Sequence, residues 1–169
     1  MAATVKLEGL DTVLKNLNSE IKKIRGATRK GLIKATIKVA GDSMRITPID
    51  TSNLVHSIFT VVAGGGEPAH ETGNPEFKQA SPTTKRKADV GRLQADHRQN
   101  VNEAKADGSY LVPIGTIGYT AYYAAYVHEM SNDVNWTKSG TGNKFLETSF
   151  KQNHKEILNI IQREAQIRK

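Results

Sequence analysis

The sequence predicts an α+β fold, in which long N-terminal helices and a C-terminal helix pack on a small, mainly antiparallel β-sheet. Two observations predict these layers: apolar residues recur every three or four positions near both ends of the chain, and short runs of β-branched residues lie between them. The third observation is a long polar segment at about residues 64–108, which we expect to be an inserted flexible arm. The 169 residues fit one domain that spans the whole chain.

The first helical region is indicated by apolar residues that share one stripe. These residues are Leu10, Val13, Leu14, Leu17, Ile21 and Ile24. Asp11 is placed to cap the start of this helix. Because Gly26 and Gly31 precede a second run of helical spacing, we expect a kink or break there, and Pro48 ends the region. Upstream, residues 4–8 alternate in the manner of a short edge strand.

A turn and a strand follow the first helical region. The side chain of Asp50, Thr51 or Ser52 can accept a backbone N–H and start one helical turn. Residues 58–62 are mostly β-branched or aromatic and predict a strand. The strand is expected to end at residues 64–66, three glycines without the surrounding pattern of a phosphate-binding loop.

The segment at about 64–108 is poor in large apolar side chains. Almost the only ones are Phe77, Val90, Leu93 and Val101. We therefore expect that the segment builds no core of its own and orders only against a neighbouring molecule. Its densest basic run includes Lys85, Arg86 and Lys87, which form either a solvated loop tip or a contact to DNA or to a partner.

A strand and a tyrosine-rich stretch are predicted after the arm. Residues 110–115 favour an edge or irregular strand, because a proline within them cannot donate a ladder hydrogen bond. Tyr119, Tyr122, Tyr123 and Tyr126 include pairs at helical spacing, which predicts a short helix. We interpret these tyrosines as core or interface anchors, and a stacking platform for bases is the alternative.

The last helix is predicted from a second apolar face. Its members are Leu146, Phe150, Ile157 and Ile161. Asn143 is placed to cap the start of this helix. The face is a candidate for the core or, in part, for a subunit interface.

The sequence indicates neither catalysis nor a bound cofactor. His70-Glu71 and His128-Glu129 lack the second histidine, four positions after the first, that a zinc-binding helix requires. The chain contains no cysteine, and it lacks the Gly-x-Ser-x-Gly pattern of a hydrolase nucleophile. We therefore predict no catalytic residue, no metal and no cofactor. Uninterrupted apolar stretches are also too short to predict a membrane span.

The charge is positive and concentrated toward the chain's two ends. The formal net charge is +7, and residues 1–50 hold ten basic but only five acidic side chains. The simplest interpretation is the solvated faces of amphipathic helices. The alternative is a basic surface that faces DNA or an acidic neighbouring protein.

Two segments carry a resemblance to a known family. Residues 47–54, Thr-Pro-Ile-Asp-Thr-Ser-Asn-Leu, and residues 122–130, Tyr-Tyr-Ala-Ala-Tyr-Val-His-Glu-Met, lie between helical patterns, and Lys-Phe-Leu-Glu follows at 144–147. In order and spacing they resemble the minor tail-component or tail-completion proteins of tailed bacteriophages, over roughly residues 5–63 and 110–167. Ser52 stands where that family usually has Gly, and Met130-Ser131 where it often has an aromatic residue and Gly-Thr.

The resemblance implies a structural virion protein at the head–tail junction, or neck, made in the host cytoplasm. Its implied partners are copies of itself in a homo-oligomeric ring of six or twelve, head connector or stopper proteins, and tail terminator or tube proteins. Such a ring surrounds the channel and can touch genomic DNA non-specifically. The family is not known for catalysis.

The resemblance and the residue types together give the candidate contact residues. The interface candidates are Tyr122, Tyr123, Tyr126, His128, Glu129 and Phe77. The candidates facing the DNA channel or a partner are Lys85, Arg86 and Lys87. The alternative function is a nucleic-acid-binding protein of phage or mobile-element origin.

Overall fold

The structure, a computed structural model, describes residues 10–50, 52–73, 75–79, 88–131 and 133–165. Its elements are α1 (Leu10–Ile46), α2 (Asn53–His56), β1 (Ile58–Ala63), β2 (His70–Thr72), α3 (Val90–Ala106), β3 (Ile114–Tyr119), α4 (Ala124–His128) and α5 (Phe145–Glu164). The predicted α+β class is confirmed, because α1 and α5 pack on a small antiparallel sheet of three strands. The predicted strand at residues 4–8 lies outside the described residues.

The sheet has the order β2-β1-β3, and both pairings are antiparallel. Central strand β1 is buried along its whole length, as expected for a β-branched run covered on both faces. One face carries Phe59, Val61 and Ala63, which cluster with Val101 and Ala104 of α3. The chain therefore stacks in three layers, with α1 and α5 on one face of the sheet and α3 on the other.

The face of the sheet toward α1 is fixed by a polar contact. Ile58 pairs with Tyr119, and cross-strand partners share a face. The Tyr119 hydroxyl lies 2.8 Å from the Ser43 hydroxyl and 2.7 Å from the Thr47 hydroxyl, both on or just after α1. Burial raises the pKa of Tyr119, which therefore stays a neutral hydrogen-bonding group.

The first helix is continuous from Leu10 to Ile46, so the predicted break at Gly26 and Gly31 is wrong. Gly31 instead lies where α1 meets α5: a Cβ there would lie 2.8 Å from the Ile161 Cα. Asp11 lies inside the first turn and does not precede the helix as a cap. At Gly31 the missing side chain therefore permits a close helix crossing.

Helices α1 and α5 run antiparallel and are joined by ion pairs. Lys30 and Lys34 both contact Glu164 near the end of α5, and Lys38 contacts Glu156, about two helical turns earlier in α5. These three lysines belong to helix faces that the sequence predicts to be solvated, and in the structure they contact carboxylates of α5. These pairs are largely exposed and contribute little stability each.

The expectation of a coreless arm at 64–108 needs correction. Residues 90–106 form helix α3, whose Leu93, His97, Val101 and Ala104 are buried. The Asp89 side chain caps the helix by accepting from the Arg92 N–H at 2.9 Å. A count of large apolar side chains overlooked this helix, because a histidine and an alanine complete its buried face.

Two element boundaries also differ from the predictions. Strand β3 begins at Ile114, whereas Tyr110, Leu111 and Val112 are 58–72% exposed. Helix α5 begins after Lys144 at φ 50°, and the Asn143 side chain donates to the Met130 carbonyl at 2.6 Å without capping the helix. Asn143 therefore fastens the end of the tyrosine segment to the start of α5.

Candidate functional site

The turn after α1 is held by a buried asparagine. Ser52 adopts left-handed φ 66°, ψ −9°, and its side chain makes no cap hydrogen bond to α2. The predicted helical turn is thus present, but Ser52 does not cap it. Asn53 is fully buried, donates to the Lys78 carbonyl at 2.8 Å and accepts from the Lys78 N–H at 2.8 Å. This two-bond contact ties the turn to the segment at 75–79.

The tyrosine segment forms the predicted short helix, α4, and leaves aromatic surface open. Tyr126 is 73% exposed and Tyr122 is 43% exposed. The Tyr122 and Tyr123 rings pack edge to face at 5.1 Å, and the Arg92 guanidinium lies 4.3 Å from the centre of the Tyr122 ring. The guanidinium therefore lies over one face of the Tyr122 ring, which stays partly exposed.

The turn and the tyrosine segment line one cleft of about 440 Å³, which we call the tyrosine cleft. Its lining includes Pro48, Ile49, Asp50 and Leu54 from the turn, Tyr122, Tyr123, Tyr126, Val127 and Met130 from the tyrosine segment, and Trp136 beyond it. Asp50 is the one charged residue among the described residues of this lining. The lining also includes Asn135 and Thr137, so its aromatic and aliphatic walls carry several polar groups. Interfaces commonly combine aromatic residues with polar groups in this way.

His128 and Glu129 connect the tyrosine segment to α5. His128 Nδ1 lies 2.8 Å from Glu129 Oε1, and Glu129 also forms an ion pair with Lys144. The hydrogen bond from Lys144 is the main cause of a lowered Glu129 pKa. The His128 ring packs edge to face on buried Phe145 at 4.9 Å. These two residues therefore position the far wall of the cleft and are not part of its lining.

The other candidate residues lie elsewhere. Phe77 is partly buried against the Leu54–Leu93 cluster, and its ring is 6.1 Å from that of His97, so its packing is within the chain. The basic run Lys85, Arg86 and Lys87 lies outside the described residues. The sequence interpretation overlooked Trp136, the chain's single tryptophan, whose signal was its isolation in a polar loop.

The first half of α1 provides a second apolar surface. Its large apolar side chains are exposed rather than in the core: Val13 62%, Leu14 47%, Leu17 54%, Ile21 42% and Ile24 53%. Every described side chain from Asp11 to Ile24 is exposed. Arg25, just after this segment, is partly buried and donates to the Tyr110 carbonyl at 3.3 Å. We call residues 13–24 the apolar stripe.

Within the described parts of the chain, no three His, Cys, Asp or Glu side chains are placed to hold a metal ion. Among those same residues, no helix combines the length and apolar character needed to cross a bilayer. Comparisons with protein-family profiles, with curated proteins and with solved structures find no match to this chain.

Proposed function

We propose that this chain is a structural protein of the head–tail junction of a tailed bacteriophage. Copies of it form a ring around the DNA channel and join the connector or stopper to the tail terminator or tube. The proposal combines the sequence resemblance with the surfaces that the fold leaves open. It assigns the chain no catalytic role.

One observation carries the proposal. The two segments on which the resemblance rests, residues 47–54 and 122–130, are about seventy positions apart in the sequence, yet both line the tyrosine cleft. The resemblance thus lies at two places that are distant in sequence and meet at one open aromatic surface. This arrangement favours a contact function in common with the family over a resemblance that reflects core packing alone. In an assembly protein, that contact is with another subunit.

The left-handed turn adds support from the backbone. Ser52 stands where the family usually has Gly, and its φ of 66° lies in the region that glycine adopts without steric cost. The backbone conformation of this chain at Ser52 is therefore the one that the family's glycine would favour at the same position. A turn of this shape places Asn53 and Leu54 against the core while Pro48 lines the cleft.

Immunogold electron microscopy of purified virions tests the assignment. An antibody against this chain is expected to label the head–tail junction, in intact particles or in partially disassembled ones. Label confined to another part of the virion, or no label with a confirmed reactive antibody, contradicts the proposal. Salt-sensitive DNA binding by the free protein in that second case favours the nucleic-acid-binding alternative.

A further inference from the structure

The apolar stripe has the geometry of a docking helix. Leu14, Leu17, Ile21 and Ile24 are spaced by three, four and three residues, so they form one seam along about three turns. Peptides that bind grooves as helices present their anchors at this spacing. All four are at least 42% exposed. A helical segment of about fourteen residues without tertiary cover is marginal in water, so a partner would stabilise it.

The chain cannot bury this stripe in its own tyrosine cleft. The stripe ends at Ile24, whereas the cleft begins just beyond Ile46, at the other end of the same continuous helix. At 1.5 Å per residue, about 33 Å of helix separates them, and about 50 Å separates Val13 from Ile46. An apolar stripe that docks in the tyrosine cleft must therefore come from another copy of the chain.

The two surfaces suit each other in chemistry. Among the described residues of its lining, the cleft has one charged side chain, that of Asp50, and the Arg92 guanidinium lies over the ring of Tyr122 on its wall. The exposed helix segment carries Lys15, Lys22 and Lys23 against two acidic residues, so its net charge is positive. A stripe-to-stripe contact would bring two positively charged segments together, whereas a stripe-to-cleft contact can place a lysine of the segment near Asp50.

We propose that the apolar stripe of one copy docks in the tyrosine cleft of the next copy. Where each pair of neighbours makes this contact once, the contact is heterologous, and its repetition produces a closed ring or an open chain according to the rotation between neighbours. The inference specifies the subunit contact of the ring proposed above and rests on that proposal only for ring closure. The contact itself is a property of the purified protein.

Complementary disruption tests the contact. Leu17→Asp alters the stripe and Tyr126→Asp alters the cleft, and both side chains are exposed, so folding should survive and far-UV circular dichroism checks that it does. We expect the wild type to form oligomers in light-scattering chromatography and each variant to associate at least about 30-fold more weakly. An equimolar mixture of the two variants should form dimers, because one intact stripe still meets one intact cleft. Ser19→Asp, on the opposite side of α1, is the matched control and should assemble as wild type.

Three outcomes overturn the inference: the wild type is monomeric at about 100 μM, the Tyr126→Asp variant by itself assembles as the wild type does, or the mixture of variants forms no dimer.

Since the chain contains no cysteine, Ile21→Cys mixed with Tyr126→Cys should also give a disulfide-linked heterodimer. Predominant linkage of Ile21→Cys to itself would indicate stripe-to-stripe pairing and would contradict the proposal. Self-association without junction labelling refutes the virion assignment alone, whereas junction labelling of a protein that lacks this contact refutes the inference alone.

Discussion

At the residue scale, Ser52 is a position where side-chain type and backbone geometry disagree. A non-glycine residue at φ 66° carries a steric cost, and Ser52 makes no cap hydrogen bond in return. We predict that Ser52→Gly raises the free energy of unfolding by about 0.5–1 kcal/mol. Ser52→Ala, which keeps the Cβ, is the control and should change it little. Urea denaturation measures both, and a Gly variant less stable than wild type would contradict this account of the turn.

His97 is a second residue with a measurable consequence. Burial lowers its pKa below the ordinary 6.5, and Glu71 opposes this by raising it. The Thr120 hydroxyl donates to the Ser57 carbonyl, so it accepts from His97 Nδ1–H at 2.9 Å. The histidine is thus held neutral in the folded state, while the unfolded chain binds a proton more readily. Its contribution to stability is full above about pH 6.5 and is lost as the pH falls toward the folded pKa.

His97→Gln, which retains a hydrogen-bonding group but does not titrate, tests this effect. We predict that the free energy of unfolding falls less between about pH 7.5 and pH 5.5 in the variant than in the wild type. Denaturant midpoints across this range measure the difference. Parallel pH profiles for the two proteins would show that His97 has the same pKa in both states.

At the element scale, the two glycines of α1 are predicted to behave oppositely. Gly26 has no heavy atom within 4 Å of a built Cβ, so Gly26→Ala should stabilise by about 1 kcal/mol through helix propensity. Gly31→Ala would place its Cβ 2.8 Å from the Ile161 Cα, so the two helices must separate and we expect a net loss of about 1–3 kcal/mol. Thermal unfolding of both variants provides the comparison, and equal stabilisation would refute the close crossing.

The elements also show what the sequence could predict. Periodicity identified both long helices and strand β1, because their apolar positions repeat and the strand is β-branched. It identified the apolar stripe, but the expected packing of the N-terminal helices on the sheet does not cover residues 13–24, since spacing indicates an apolar face and not what covers it. Helix α3 was missed because His97 and Ala104 complete its buried face. The two motifs of the cleft, residues 47–54 and 122–130, could be recognised in the sequence. That they meet at one cleft depends on the tertiary structure, which local sequence patterns do not predict.

At the scale of the whole molecule, α3 forms one layer of the core. Leu93 is fully buried, and Val101 and Ala104 cover the face of β1 that carries Val61. We predict that deletion of residues 70–106 abolishes cooperative thermal unfolding, because central strand β1 would lose cover on one face. A sigmoidal melt with the wild-type midpoint would contradict the three-layer fold. Gln94→Ala, an exposed change on α3, is the control and should melt as wild type.

For the proposed assembly, the important feature of α1 is that it carries the apolar stripe at one end and adjoins the tyrosine cleft at the other. The domain at the cleft end is fixed by α5 and the sheet, whereas residues 13–24 extend as exposed helix. Subunits joined in this way repeat a single contact, which is how one small chain can enclose a channel. This is the contact that we propose for copies of the chain at the head–tail junction.

The most direct measurement is negative-stain electron microscopy of lysates from a phage whose copy of this gene carries an early stop codon. We expect DNA-filled heads and separate tails, with joined particles restored when the intact protein is supplied from a plasmid. Supplying Leu17→Asp instead should restore few joined particles if the subunit contact is as inferred. Fully joined, infectious particles in the absence of the protein would show that this chain does not join heads to tails.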